Sequence, residues 1–298
     1  MKTMKTITPL LRLPENEVEK FNQIIREKRN RLFLSPKDTI AQIKENHAKT
    51  INVLLKEGRI SETIVKLREL AYDDFLQQEN IFNGEILKEI ANIFNSPREM
   101  LHSVSDELYS LSGITEEVFH DKLNQLFGVY SGYISPYIYQ LCLSNTQSRR
   151  SRAGKVFEGI IYLLYDYFNY PYESQKGVGR KAFSDLHLGK MVDSVLPGVD
   201  SFGKSRRHTI IGSMKTTLRE RWQEVVEEIG RSNVPGIYLL TVDEDISEKK
   251  VRQIGMHNIT LVVLNSVKVL KKMKNEYNVI DFETYFNKDI PEVLNHWK

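Results

Sequence analysis

Between Glu15 and about Leu70, Leu and Ile recur at helical spacing in a background of Lys, Glu and Asn, interrupted at Ser35-Pro36 and Glu57-Gly58. The spacing predicts three helices there. Further helical stretches run to about Leu126, punctuated at Asn83-Gly84 and Ser96-Pro97, and Thr115 followed by Glu116 and Glu117 reads as a helix start. The pattern makes residues 1–145 mostly helical. It shifts near Asn145, and from Arg152 a long amphipathic helix carries one acid, Glu158, inside an apolar and aromatic run.

Beyond Tyr170-Pro171 the period changes. Lys190 to Leu196 is a short strand candidate containing Asp193, while Gly236–Val242 (GIYLLTV) and Ile259–Leu264 (ITLVVL) read as buried strands separated by a helical Ser247–Met256. That alternation predicts an α/β core around a central sheet, and the last residues read as one or two short helices.

The segment Thr209–Glu228 passes from strand to helix. Thr209, Ile210 and Ile211 are β-branched and lead to Lys215 near the strand end, and Thr217 to Glu228 has helical spacing. Thr217 with Glu220 fits a capping box, which predicts Arg219, Glu220 and Arg221 in the first helical turn. Arginine forks match guanine O6 and N7, and a carboxylate accepts from cytosine N4, so the triplet suits G·C pairs; a capping glutamate between two solvated arginines fits the same letters. Trp222, Val225, Val226 and Ile229 form one apolar stripe, and Glu228 lies about 110° from its centre against about 150° for Glu224 and Glu227. Glu228 is therefore the acid nearest the buried boundary.

Composition narrows the picture modestly. The 298 residues carry a formal net charge of +3, but the basic ones cluster in RRSRAGK (149–155), KGVGRK (176–181), GKSRRH (203–208) and KVLKKMK (268–274). Such clusters serve as phosphate contacts or as solvated loops. One cysteine, Cys142, excludes an intrachain disulfide and a Cys-rich zinc module, and its apolar surroundings predict a core thiol. The opening MKTMKTITPLLRLP is interrupted by Pro9, Arg12 and Pro14, and no segment has bilayer-spanning length, so a soluble, cytoplasmic protein without a membrane partner is expected.

Gly198, Gly203, Lys204 and Ser205 satisfy the spacing GxxxxGKS of a phosphate-binding loop. Such a loop opens a helix, whereas RRHTIIG after Ser205 predicts a basic turn entering a strand. A polar loop between two strands is the better reading, and no nucleotide cofactor is expected. The other constellation is Asp193, Lys215 and Glu228, with Glu158 upstream. Phosphodiester hydrolysis calls for carboxylates that hold Mg²⁺ and a cation beside the nucleophile, and Asp193 and Lys215 fall on successive strand candidates. The usual nuclease acid two residues before the lysine is replaced by Ser213.

Ser213-x-Lys215, then Glu228 after twelve residues, preceded by Asp193 and by Ser151-Arg-Ala-Gly-x-x-x-Glu158, resembles the type II restriction endonucleases related to SsoII, PspGI, EcoRII and NgoMIV. These carry a permuted PD-(D/E)XK site whose second acid has moved to the helix. The resemblance covers roughly Gln147 to Leu264. It implies a restriction-endonuclease-like α/β (α+β) fold, a mixed central sheet flanked by helices, with 146–298 as the catalytic core; residues 1–145 exceed what a minimal family member needs and are read here as a helical DNA-clamping and dimer region. It also implies Asp193, Glu228 and Glu158 as metal-holding acids, Mg²⁺ as cofactor, and Lys215 beside the attacking water. Arg219, Glu220 and Arg221 match the triplet that reads a CC/GG core, and Gln147 looks like a second base-contacting residue. The partners implied are double-stranded DNA with a palindromic site and a second copy of the chain. The related enzymes flip a central base onto an aromatic ring, for which Phe94 is the candidate here, with a core phenylalanine as the competing reading. A structure-specific repair nuclease of the same fold, independent of the triplet, and a noncatalytic DNA-binding regulator, indifferent to loss of Lys215, are the alternatives.

Overall fold

The computed structural model describes residues 12–186, 188, 192–219, 221–232 and 234–298. The chain forms two compact units: one holds the chain through Leu34 together with Asp73–Arg150, the other Ser35–Tyr72 together with Ser151–Lys298.

The first half is helical as the spacing predicts, but four helices rather than three begin between Glu15 and Leu70, and the helix expected from Arg152 starts at Ser135. This half comprises α1 (Glu15–Leu32), α2 (Pro36–Asn46), α3 (Ala48–Lys56), α4 (Ile60–Ile93), α5 (Asn95–Tyr109), α6 (Glu116–Tyr133) and α7 (Ser135–Tyr167). Ser35 caps α2 with Pro36 at its first position, and Thr115 caps α6 by accepting from the Val118 N–H at 3.4 Å. One expected break does not occur, because α4 runs straight through Asn83-Gly84. A helical glycine costs about 1 kcal/mol, and the burial of Phe82 and Ile86 on either side outweighs it.

The core of the first unit gathers Phe21, Ile25, Phe82, Ile86, Ile90, Phe94, Ile134, Tyr137 and Leu141. A polar network runs beside it. Arg29 donates to Ser144 Oγ at 2.9 Å and Asn145 Oδ1 at 2.6 Å, Asn145 donates to Asn83 Oδ1 at 2.8 Å, and Arg149 holds the Glu79 carboxylate through both of its oxygens. Cys142, expected in the core, is exposed. Leu141 and Asn145 point inward four residues apart, which turns position 142 about 100° away from that face.

In the second unit the order continues with β1 (Glu173–Ser174), α8 (Gln175–Val178), α9 (Arg180–Asp185), β2 (Ser194–Leu196), α10 (Val199–Lys204), β3 (Ile210–Lys215), α11 (Arg221–Ser232), β4 (Ile237–Thr241), α12 (Glu248–Gly255), β5 (Ile259–Val263) and β6 (Val279–Asp281). Short helical turns follow β5 and β6. The six strands form one sheet in the order β1-β2-β3-β4-β5-β6, antiparallel from β1 to β3 and parallel from β3 to β6. It is the mixed, helix-flanked sheet expected from the sequence. The strand expected over Lys190–Leu196 is β2, and 189–191 lie outside the described residues.

Why the helices at Ser35–Tyr72 belong to this unit is visible in its core, where Ile40, Ile43, Ile51, Leu55, Ile60, Ile64 and Leu67 join Phe157, Ile160, Ile161 and Leu164 of α7 and the sheet residues. Gly159 lets α7 approach α2 closely, since a Cβ there would collide with the end of Ile40. A polar pin adds to this: Glu283 accepts from the Ser61 N–H and Oγ, each at 2.7 Å, and Ser61 Oγ accepts from the Asn265 N–H at 2.8 Å.

Candidate active site

The site is built where β2 enters the sheet and β3 leaves it. Their register pairs Ser194 with Gly212, and just before β2 the Asp193 N–H donates to Gly212 O at 2.8 Å. Asp193 is thereby placed beside the C-terminal end of β3. Its Oδ2 accepts from the Met214 N–H at 2.6 Å and from Lys215 Nζ at 3.4 Å. The lysine also donates to Met214 O at 3.1 Å. Strand alternation puts Ile211, Ser213 and Lys215 on one face of β3, and all six residues of the strand are buried. The Lys215 side chain is 8% exposed and that of Asp193 17%, so the pair interacts in a medium far less screening than water.

Ser213, in the place of the usual acid, is fully buried, and its Oγ has no hydrogen-bond partner among the described residues. A hydroxyl left in that state costs about 1–3 kcal/mol.

Glu158 approaches from α7. Tyr162, one helical turn further on, donates its hydroxyl to Asp193 O at 2.9 Å and stacks on Tyr172 at 5.3 Å. Burial first, and then the negative charges of Asp193 and Glu158, push the Tyr162 phenol well above its ordinary value. Both carboxylates thus act on one phenol. Tyr162 was not singled out from the sequence, although its spacing of four from Glu158 already put the two on one helix face.

The segment after Lys215 departs from expectation. Helix α11 begins at Arg221, so Thr217 does not cap it and Arg219 precedes it. Leu218 is fully buried and its N–H donates to Asp243 Oδ2 at 2.7 Å, which pulls residues 217–219 out of the helical path. Arg219 follows with φ of 25° and an exposed side chain. Glu220 lies outside the described residues, as does the side chain of Arg221 at the helix start. Glu228 belongs to α11, and its side chain too is outside the description. Of the apolar stripe, Val225 is fully buried, and Trp222 and Val226 are partly so.

The other two candidates lie in the first unit. Gln147 is on an exposed position of α7. Phe94 is 3% exposed, edge-on to Phe21 at 6.0 Å and tilted against Tyr137 at 4.9 Å, with Lys20 over its ring at 5.5 Å. As placed, it is a core ring.

The loop with phosphate-loop spacing is also resolved in its order. Its helix, α10, opens at Val199 and ends at Lys204, with the Val199 N–H donating to Glu173 Oε2 at 2.7 Å. The expected polar loop is thus a short helix. Gly203, Lys204 and Ser205 stand at its end, the reverse of an arrangement that presents a helix N-terminus to phosphate.

No three His, Cys, Asp or Glu side chains converge as a metal set among the described residues. Asp193 and Glu158, whose charges both act on the Tyr162 phenol, are hard oxygen donors, and Mg²⁺ characteristically takes one or two carboxylates and completes its shell with water and phosphate. The residues present therefore fit a divalent cation of that kind. Among the described residues no helix is long and apolar enough to cross a membrane.

Residues 114–286 match the family model described as EcoRII C terminal. The chain is 44% identical to the type II restriction enzyme SsoII of Shigella sonnei over 147 residues, 49% of this chain and 48% of that enzyme, so the alignment spans about half the length of its curated relative. Among solved structures it is similar to metal-depleted Ecl18kI in complex with uncleaved DNA, with a TM-score of 0.70, 29% identity, and coverage of 94% of this chain and 86% of that one. The PspGI–substrate DNA complex shares the fold, with a TM-score of 0.57 at 18% identity over 89% of this chain and 94% of that one. The paired Asp193 and Lys215, the acid on α7 and the matched sequence agree: the chain belongs to the EcoRII C-terminal family.

Proposed function

We propose that this chain acts as a homodimeric, Mg²⁺-dependent endonuclease that cuts double-stranded DNA at a palindromic site with a CC/GG core, leaving 5′-phosphates and 5′ overhangs. The observation that carries the reading is the Asp193–Lys215 pair, a carboxylate and an ammonium 3.4 Å apart at the exit of β3, with Glu158 acting on the same tyrosine as Asp193. Asp193, Glu158 and, by its place in the motif, Glu228 would hold the metal, which when bound lowers the pKa of water and offsets phosphate charge.

The chain's own residues then divide the work. The Met214 N–H and the Tyr162 hydroxyl hold Asp193, through its carboxylate and its carbonyl respectively. Lys215 directs an ammonium to the attacking oxygen and stabilises the charge that develops on the phosphoryl group during in-line displacement. Its almost complete burial keeps that ammonium from being screened by water.

Arg219, Glu220 and Arg221 are assigned to the G·C pairs of the core and Gln147 to a further base contact. Two copies related by two-fold symmetry match a palindrome, and residues 1–145, of which Ser35–Tyr72 pack into the core of the sheet unit, are assigned to clamping the duplex and pairing the subunits. The solved Ecl18kI complexes contain DNA, which supports double-stranded DNA as the ligand. The reading includes extrusion of the central base of an interrupted core. For Phe94 to receive that base, its cluster with Phe21 and Tyr137 must open.

The test is to sequence the ends made from plasmid DNA with Mg²⁺ by wild type and by Lys215→Ala. Discrete ends at a CC/GG palindrome from wild type alone support the proposal. Shape-dependent nicking points to a repair nuclease, and equal cutting by the variant removes the site assignment.

A further inference from the structure

We infer that Asp243 is a positioning residue for base recognition, its carboxylate setting the loop that presents Arg219. The inference rests on the reading in which Arg219 contacts bases. Only residues 216–220 connect the end of β3 at Lys215 to the start of α11 at Arg221. Within that span Leu218 is anchored twice, by a fully buried side chain and by its N–H on Asp243 Oδ2 at 2.7 Å. A peptide N–H on an ionised acceptor is roughly twice as strong as a neutral pair.

Asp243 is itself held. Its N–H donates to Thr241 Oγ1 at 3.1 Å, and its other carboxylate oxygen accepts from the Asp245 N–H at 3.1 Å. Thr241 is fully buried and stands in register with Lys215 across β3 and β4. The carboxylate therefore ties the loop to the same rung of the sheet that carries the catalytic lysine.

What the tie holds is a strained residue. Arg219 has φ of 25°, a conformation side-chain-bearing residues rarely adopt and which persists only where the surroundings over-determine it. Base reading by a guanidinium requires placement to within about 0.5 Å. Releasing the Leu218 N–H lets Arg219 relax toward ordinary φ and moves its guanidinium off the base edge. The strand-end position of Asp243 serves both functions of the site, keeping the distance from Lys215 to the reading loop constant.

The experiment is a double-mutant cycle on Asp243→Ala and Arg219→Ala, reading the ratio of single-turnover cleavage at the cognate site to that at sites with one altered core pair. Asp243→Ala is expected to lower the ratio about 10- to 100-fold, the worth of one bidentate base contact. It adds nothing further once Arg219 is alanine, and the half-saturating Mg²⁺ concentration stays put in both variants. Asp243→Asn, which keeps an acceptor for the Leu218 N–H, restores most of the ratio. Should the alanine variant not fold, Asp243→Ser, whose shorter side chain does not reach that N–H, carries the test, with the same fall expected and an unchanged ratio overturning the inference. An unchanged ratio in Asp243→Ala, or losses that simply add to those of Arg219→Ala, overturns this inference and leaves the nuclease reading intact. If wild type itself shows no preference for a CC/GG palindrome, the functional reading fails and the inference with it.

Discussion

Replacing Lys215 by alanine separates chemistry from binding. The ammonium sits 3.4 Å from Asp193 Oδ2 with its side chain 8% exposed, so water screens its charge little. Two unit charges about 4 Å apart at an effective dielectric near 20 interact by about 4 kcal/mol. Losing that interaction in the transition state corresponds to a fall of about 10³-fold in the chemical step. The variant also removes the Lys215 ammonium from Asp193. Breaking a fully buried pair costs about 3–5 kcal/mol, and the partial exposure of Asp193 and the retained Met214 N–H put the expected loss of stability below that range. The assay is single-turnover cleavage of a cognate duplex with saturating Mg²⁺, run beside duplex binding in Ca²⁺ and a urea unfolding curve. The expected outcome is cleavage reduced by three orders of magnitude with binding retained. A variant that is folded, binds, and still cuts within about tenfold of wild type would refute the role given to Lys215.

Three further outcomes follow from the same geometry. Asp193→Asn keeps an acceptor for the Met214 N–H but loses a charge, so the half-saturating Mg²⁺ concentration should rise by at least tenfold, and chelation should abolish cutting by wild type while specific binding survives in Ca²⁺; an unchanged Mg²⁺ titration contradicts the assignment. Glu79→Ala removes a 4% exposed carboxylate from an Arg149 guanidinium that is 48% exposed, and with water access to the arginine discounted, urea unfolding should register a loss of about 1–2 kcal/mol. A loss under about 1 kcal/mol would show the pair to be solvated. The phenols of Tyr162, Tyr165, Tyr238 and Tyr285 are all raised by burial, so the folded chain keeps protons that the unfolded chain releases above pH 10. The stability these four phenols contribute is therefore fully present below that pH and is lost as pH rises beyond it, and a step of tyrosinate absorbance should accompany the unfolding transition. Loss of circular dichroism with no accompanying step of tyrosinate absorbance would contradict that packing.

Periodicity alone determined a good deal about this protein. The helical first half, the strands at Ile237–Thr241 and Ile259–Val263, the caps at Ser35 and Thr115 and the passage from strand to helix around Lys215 are local events, set by side-chain alternation and capping within a few residues. The pairing of Asp193 with Lys215 was legible as well, since successive short strands tend to neighbour one another in a sheet. Only tertiary structure decided the rest. Helix α4 ignores Asn83-Gly84 because burial of Phe82 and Ile86 outweighs a glycine's propensity, and Cys142 faces outward because Leu141 and Asn145 take the inward positions. The helix expected from Thr217 begins at Arg221 because an acid twenty-five residues away captures the Leu218 N–H. No local pattern signals such a bond, as its free energy depends on where two separate stretches meet in space.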